Sequence, residues 1–206
     1  MVDIDGEGWY GNLVYGGEGD DTFIVRSGFT DPSGGTYGQS SLGIYGGPGN
    51  DTFKQGTDDY GSILGLSATT VLYGNEGNDK FEKFINTDDA DDAMNTIAIN
   101  GGEGDDKIGG AANFYGIALY GEEGNDVIYG GEADDMLTLI TADLGEGDDT
   151  FFGGSGGYGH TVDGGDGNDK IFGPNDVFET SFYGTVTLNG DAGDDIIDFG
   201  DNNDIH

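Results

Sequence analysis

GGEGDDTFI, the stretch from Gly16 to Ile24, recurs along this 206-residue chain and predicts its fold. Its fourth residue is always Gly, its fifth Asp or Asn, its sixth Asp and its eighth Phe or Ile. The eight copies begin at Gly16, Gly46, Gly74, Gly101, Gly121, Leu144, Gly164 and Gly190. Repeated self-similarity of this kind is typical of a protein built from stacked structural repeats.

Short alternating stretches precede the repeats. LVYGG, VLYGN and IALYGE place apolar or β-branched residues at every second position, as strands do. Gly supplies the positive φ angles that a tight turn needs. Each unit therefore predicts a strand, a six-residue turn and a second strand. Stacking of such coils would bury the eighth-position side chains in a narrow core, so the fold class is an all-β solenoid.

A second Gly break follows several of the repeats by about nine residues and marks the opposite corner of the coil. These breaks lie at Gly109, Gly130, Gly153, Gly173 and Gly200. In the first half of the chain, longer loops such as residues 27–41 and the acidic run at 88–92 take their place. We expect two rows of stacked turns, one regular and acidic, and one irregular.

No helical periodicity, linker or shift in composition divides the chain. Residues 1–206 are therefore expected to form one solenoid of about eight coils, with residues 1–11 and 199–206 as end or cap segments.

The composition excludes several classes of protein. Forty-one Asp and Glu residues against 6 Lys and Arg give a net charge of −35, which would repel nucleic acids and anionic membrane surfaces. No apolar run approaches the roughly 18 to 20 residues that span a bilayer, so no membrane insertion is expected. Without Cys there is no disulfide scaffold. Twelve Phe and 11 Tyr nevertheless indicate a packed core rather than a disordered acidic chain.

The repeated turn offers hard oxygen ligands: carboxylates at fixed spacing and backbone carbonyls that glycines leave accessible. Ca²⁺ takes such ligands in flexible geometry, whereas Mg²⁺ retains its water. Zinc, copper and iron prefer imidazole or thiolate, and the chain has two His and no Cys. Bare carboxylates stacked about 5 Å apart would also repel one another without cations between them. Calcium is therefore the predicted cofactor.

These nonapeptides resemble the haemolysin-type calcium-binding repeats of RTX proteins, whose pattern is GGxGxDxUx. The resemblance covers residues 16–198 and implies a right-handed parallel β-roll with Ca²⁺ between consecutive turns. The implied side-chain ligands are the sixth-position carboxylates Asp21, Asp51, Asp79, Asp106, Asp126, Asp149, Asp169 and Asp195. The implied carbonyl ligands are Gly17, Gly19, Gly47, Gly49, Gly77, Gly102, Gly104, Gly124, Gly147, Gly165, Gly167 and Gly193.

Departures from the family pattern limit these expectations. Only one row of turns carries the full motif, so we expect one ion in each gap between coils, about seven in all. The extra copy GGEADDMLT at residues 130–138 would place Asp135 on the opposite row as a lone or weaker site. Non-glycine residues break the pattern at the second position of three turns and at the first position of one. They are Asn75, Glu122, Asp191 and Leu144.

No catalytic residue is predicted. Residues 153–157 satisfy the GxSxG pattern, but about a fifth of the chain is Gly and no strand-to-helix turn surrounds the match. The adjacent carboxylates are already explained by the turns, so they do not indicate a glycosidase. His160 is expected to have a strand or loop role. We therefore expect a protein that is not an enzyme.

A regular column of Tyr15, Tyr45, Tyr73 and Tyr120 stands directly before the turn Gly. It is interpreted as packing, with sugar stacking or a subunit contact as alternatives.

Three functions follow. The first is a structural extracellular protein that calcium folds and rigidifies, with end-to-end self-assembly into filaments or a surface layer as a refinement. The second is the C-terminal β-roll of a secreted hydrolase or toxin, and the third is a polysaccharide-binding or adhesive module. The RTX resemblance also implies secretion by a bacterial type I-like route.

Overall fold

A computed structural model of the chain describes residues 1–5, 12–26, 42–56, 69–85, 96–112, 114–132, 139–154, 159–173 and 185–199. Within these ranges the regular structure is β-strand, and no helix is long and apolar enough to cross a membrane. All strand pairs are parallel. The prediction of an all-β parallel solenoid is confirmed.

Two large sheets form the sides of the solenoid. Strands that follow the acidic turns make a nine-stranded sheet, in the order β1 (Val2–Asp5), β3 (Thr22–Arg26), β5 (Thr52–Gln55), β7 (Lys80–Phe81), β10 (Lys107–Ile108), β13 (Val127–Tyr129), β16 (Thr150–Phe152), β18 (Lys170–Phe172) and β20 (Ile196–Asp198). Strands that precede the turns make an eight-stranded sheet: β2 (Asn12–Tyr15), β4 (Leu42–Pro48), β6 (Thr70–Glu76), β9 (Thr96–Glu103), β12 (Gly116–Glu123), β15 (Leu139–Asp143), β17 (Gly159–Asp163) and β19 (Val186–Asn189).

The opposite corner of the coil is less regular, as expected. A three-stranded sheet forms there from β8 (Phe84–Ile85), β11 (Ala111–Ala112) and β14 (Gly131–Glu132). The second Gly breaks at Gly109 and Gly130 directly precede this sheet. The acidic run at 88–92, the insertion at 27–41, Gly200 and Asp135 lie outside the described residues.

The register aligns equivalent residues of every repeat, so the eighth-position side chains form one continuous row. Phe23 pairs with Phe53, and Phe53 with Phe81. Their rings stack at centroid distances of 4.8 and 4.5 Å. All members of the row are buried except Ile197 in the last strand, β20: Phe23, Phe53, Phe81, Ile108, Ile128, Phe151 and Ile171. The predicted core is therefore present.

A second row of inward side chains comes from the eight-stranded sheet and faces the first. Ile44, Leu72, Ile99, Leu119, Ala142 and Val162 are paired in register and buried. His160 lies in β17, where its pairing with Ile140 and burial agree with the expected strand role. Two rows, one from each sheet, make the narrow core that holds the acidic turns at one corner of the coil.

Candidate metal centre

Glycine at the fourth position sets the shape of each acidic turn. There φ ranges from 104° at Gly19 to 155° at Gly193, a region that L side chains rarely adopt. A Cβ on Gly124 would also collide with the carbonyl oxygen of Gly104 in the preceding turn. Backbone conformation and close stacking both require Gly, which explains why this column never varies within the chain.

The second position tolerates other residues because its backbone lies nearer the ordinary left-handed region. Asn75, Glu122 and Asp191 have φ of 79°, 76° and 54°, whereas the glycines of this column lie between 92° and 112°. Asn and Asp adopt this conformation more readily than most residues. The turns with these departures stay in the stacked row, as the backbone hydrogen bond from Glu146 to the Glu122 carbonyl shows.

The sixth-position aspartates form a hydrogen-bonded row along the solenoid. In each of the first seven turns the backbone N–H of this Asp donates to Oδ1 of the equivalent Asp in the next turn, at distances between 2.6 and 3.0 Å. All eight carboxylates that the sequence singled out therefore lie together: Asp21, Asp51, Asp79, Asp106, Asp126, Asp149, Asp169 and Asp195. We name this row the aspartate ladder.

The second carboxylate oxygen has no partner in the inner part of the ladder. Oδ2 is buried and makes no hydrogen bond in Asp51, Asp79, Asp106, Asp126, Asp149 and Asp169. These six residues are at most 2% exposed. Buried polar atoms are normally satisfied, and an unpaired buried carboxylate is costly. A row of them at equivalent positions indicates a missing partner of positive charge.

Beside first-position glycines, Oδ2 of the ladder aspartate and a carbonyl oxygen of the next turn approach the same place. If the first-position Gly164 carried a Cβ, that atom would lie 2.6 Å from Asp169 Oδ2 and 2.8 Å from the carbonyl oxygen of Gly190 in the next turn. At Gly16 the distances would be 2.7 Å to Asp21 Oδ2 and 2.5 Å to the Gly46 carbonyl. Because Gly has no side chain, a carboxylate oxygen and a carbonyl oxygen can converge on the place that a Cβ would occupy.

Side chains alone do not complete a site. Across the described ranges, no three His, Cys, Asp or Glu side chains are grouped to hold a metal. Any ion here needs backbone carbonyls in addition to carboxylates, and an all-oxygen set of this kind suits Ca²⁺. The residues present therefore fit calcium and offer no nitrogen or sulfur ligand for zinc.

The predicted carbonyl ligands lie between successive turns. For example, the Gly17 and Gly19 carbonyl oxygens are the atoms that a Cβ on Gly47 and on Gly49 of the next turn, respectively, would meet first. Their role as ligands stays a prediction. The sequence reasoning missed the first-position carbonyls, such as those of Gly74 and Gly190, which the structure brings beside the ladder. Asp135 remains a prediction because it lies outside the described residues.

Burial raises the pKa of the six inner ladder carboxyls, from Asp51 to Asp169. It raises the pKa of Asp79 and Asp126 to about 6, that of Asp149 to about 7 and that of Asp106 to about 8. Hydrogen bonds from the preceding backbone N–H lower these pKa values in part, while neighbouring carboxylates raise them further. The metal-free ladder therefore disfavours its own ionised form, which a bound divalent cation would stabilise.

The fifth-position side chains form a second, exposed row that runs in the opposite sense. Asp105 Oδ1 accepts hydrogen bonds from the backbone and side-chain nitrogens of Asn125 in the next turn, at 2.9 and 3.0 Å. Asp148 and Asn168 repeat the arrangement at 2.9 Å. These bonds lower the pKa of Asp105 and Asp148. The fifth column is thus satisfied by hydrogen bonds, which separates it from the unpaired ladder one residue later.

The comparison with protein families agrees with this site. The model of the RTX calcium-binding nonapeptide repeat matches just over half of the chain, at residues 8–29, 44–54, 118–139, 141–158, 161–173 and 183–205. No curated protein and no solved structure matches the chain. The repeats, the parallel solenoid and the family match lead to one conclusion: the chain belongs to the family of RTX calcium-binding nonapeptide repeat proteins.

Proposed function

We propose that this calcium-binding module is a structural, non-catalytic protein that folds and becomes rigid when Ca²⁺ binds along the aspartate ladder outside the cell. The observation that carries the proposal is the row of six buried Oδ2 atoms without a hydrogen-bond partner. Cations between the turns would supply those partners and neutralise the ladder. About one ion for each gap between turns, about seven in all, corresponds to this spacing.

The expected energetics support folding on calcium. A site tenfold above its dissociation constant adds about 1.4 kcal/mol, so seven such sites together add roughly 10 kcal/mol. That sum is comparable to the stability of a whole domain, typically about 5 to 15 kcal/mol. Calcium would then decide whether the chain is folded, at concentrations of about 10⁻⁴ to 10⁻³ M, as in extracellular modules.

The proposed location follows from the family. RTX repeats are typically found in secreted bacterial proteins. A calcium-poor cytosol would keep the chain unfolded for a type I-like export route, and external calcium would fold it after release. We therefore propose that calcium-dependent folding serves export, because the chain stays unfolded until it has left the cell.

Circular dichroism tests the proposal directly. In excess EDTA we expect a largely disordered spectrum, and on adding CaCl₂ up to about 10⁻³ M a cooperative gain of β signal. MgCl₂ at the same concentration is the control, because Mg²⁺ dehydrates reluctantly and should not substitute. A full β spectrum in EDTA at neutral pH would contradict the proposal.

End-to-end self-assembly is a second proposal, with support from the sheet edges. β20 and β1 are the two edges of one sheet, and among the described residues Ile196 and Phe199 near the β20 edge are 56% and 53% exposed. Parallel pairing of these edges between copies would extend the sheet. Light scattering at millimolar Ca²⁺ should show oligomers, and a monomer there would exclude this refinement.

The remaining alternatives concern partners and context. The Tyr15, Tyr45 and Tyr73 rings stack on each other with centroids 5.0 and 4.6 Å apart, so both ring faces of Tyr45 and one face each of Tyr15 and Tyr73 are covered by a neighbouring ring. Asn100 separates Tyr73 from Tyr120 in register. No observation therefore favours glycan binding. A β-roll within a larger secreted hydrolase or toxin would use the same calcium sites, and the size of the native secreted protein tests it.

A further inference from the structure

Leu144 is the one first-position residue of the eight turns that is not Gly. Its side chain is fully buried and belongs to the hydrophobic core cluster. In the other seven turns a Cβ at this position would come closer than 3 Å to Oδ2 of that turn's own ladder aspartate. Leu144 therefore places carbon atoms where, in the other seven turns, Oδ2 of the ladder aspartate lies against the first-position glycine.

The large side chain of Leu144 is accompanied by a small one, Ala142, two residues earlier. Ala142 is the inward residue of β15 and pairs in register with Leu119 on one side and Val162 on the other. Ala142 is the smallest member of that inward row. In the neighbouring coil the inward strand residue is large and the first turn residue is Gly, as in Leu119 and Gly121. In this coil the order is reversed, and Ala142 and Leu144 fill the core together.

The exchange removes room from one calcium site. In the gap between the turns that begin at Leu144 and Gly164, Asp149 still supplies an unpaired buried Oδ2. An ion beside that oxygen needs space and further oxygens at about 2.3–2.6 Å, which an isobutyl group at the first position obstructs.

We infer that the turn from Leu144 to Asp149 has lost its calcium site to core packing, so that the row of ions is interrupted between this turn and the next. The inference rests on the proposed function, since it concerns which gaps the proposed ions fill. Six ions rather than seven would then occupy the seven gaps of the ladder. The ions before and after the interruption would bind as two separate groups.

The test counts calcium ions bound at saturation, by equilibrium dialysis with elemental analysis, in the intact chain and in two exchanged variants. Ala142→Leu/Leu144→Gly restores the residue pattern of the neighbouring coil and changes the total core volume by only one methyl group. We expect it to bind one more ion than the wild type. Leu119→Ala/Gly121→Leu makes the reverse exchange one coil earlier and should bind one fewer.

Circular dichroism in saturating CaCl₂ first establishes that each variant is folded. If the forward exchange does not fold, the reverse exchange still decides the inference, and the single variant Leu144→Gly offers a third measurement of a gained ion. An unchanged count in a folded exchanged variant would overturn the inference while leaving the proposed function intact. A wild type that binds no calcium would instead contradict the proposed function itself.

Discussion

The backbone N–H of Asp79 donates a 2.6 Å hydrogen bond to Oδ1 of Asp106, the equivalent residue of the next turn. With Oδ1 engaged in this way, Asp106 Oδ2 is buried without a partner. The two oxygens of this carboxylate thus have different roles: Oδ1 links neighbouring turns by a hydrogen bond, and Oδ2 is available to a cation. The two roles can be tested separately.

Replacement of a ladder carboxylate should weaken calcium binding, whereas the same change one residue earlier should not. Asp106→Asn keeps an oxygen that can accept the Asp79 N–H but removes the negative charge, so we expect the calcium midpoint of folding to rise by about 1.5- to 3-fold, as the loss of one or two of seven equal sites requires. Asp105→Asn is the matched control, because its exposed side chain is held by hydrogen bonds from Asn125 that an amide oxygen can still accept. Calcium titrations followed by circular dichroism compare the two, and equal midpoints would contradict the assignment of the ladder.

The metal-free fold should lose stability as the pH rises. The pKa of Asp106 is raised to about 8 and that of Asp149 to about 7, so the folded state holds protons that the unfolded chain releases near pH 4. Each such group lowers the free energy of unfolding by up to about 1.4 kcal/mol per pH unit between its unfolded and folded pKa values. We expect more β signal in EDTA at pH 5 than at pH 8.

Two further measurements test whether loss of these protons causes the pH effect. Addition of CaCl₂ at pH 8 should restore the β signal, because the ion replaces the lost protons. Asp106→Asn, which cannot titrate, should shorten the pH range over which the metal-free fold weakens. A metal-free fold that becomes more stable from pH 5 to pH 8 would refute the raised pKa values.

The fourth-position glycines should be far less replaceable than the second position. Gly124→Ala combines a φ of 141° with a collision against the Gly104 carbonyl, so backbone strain alone should lower the free energy of unfolding by about 1–3 kcal/mol. Glu122→Gly, two residues earlier, relieves a φ of 76° and should change stability by less than about 1 kcal/mol. Urea unfolding in saturating calcium measures both variants. Similar losses in the two would mean that close stacking does not constrain the turn.

The inner and outer aromatic stacks should differ in their contribution to stability. Phe53 lies fully buried between Phe23 and Phe81, so Phe53→Ala should lower the free energy of unfolding by about 3–5 kcal/mol. Tyr45 lies between two stacked tyrosines on the outer face of the eight-stranded sheet, so Tyr45→Ala should have an effect below about 2 kcal/mol. Urea unfolding in the same buffer compares the two losses. A larger loss for Tyr45→Ala than for Phe53→Ala would contradict the assignment of the main core to the Phe53 row.

The sequence by itself was sufficient for the fold class and for the chemistry of the turn. A nonapeptide with an invariant Gly and Asp is a local pattern, and local patterns specify turns, strand alternation and ligand type. For the same reason the eighth-position residues could be assigned to the core, as the buried row from Phe23 to Ile171 confirms. The sixth-position aspartates are predicted as ligands in preference to their fifth-position neighbours; the structure places both columns in rows and buries the inner part of the sixth, while its role in binding calcium stays a prediction.

The tertiary structure determined which atoms of neighbouring coils lie in contact. Turn starts are separated by 20 to 30 residues of variable length, so only the register of parallel backbone pairing determines which atoms of two turns face each other. That register leaves Asp106 Oδ2 rather than Oδ1 without a partner and brings the first-position carbonyls beside the ladder. It also places Ala142 in register between Leu119 and Val162 and buries Leu144 in the core, an arrangement that exists only once neighbouring coils pack together.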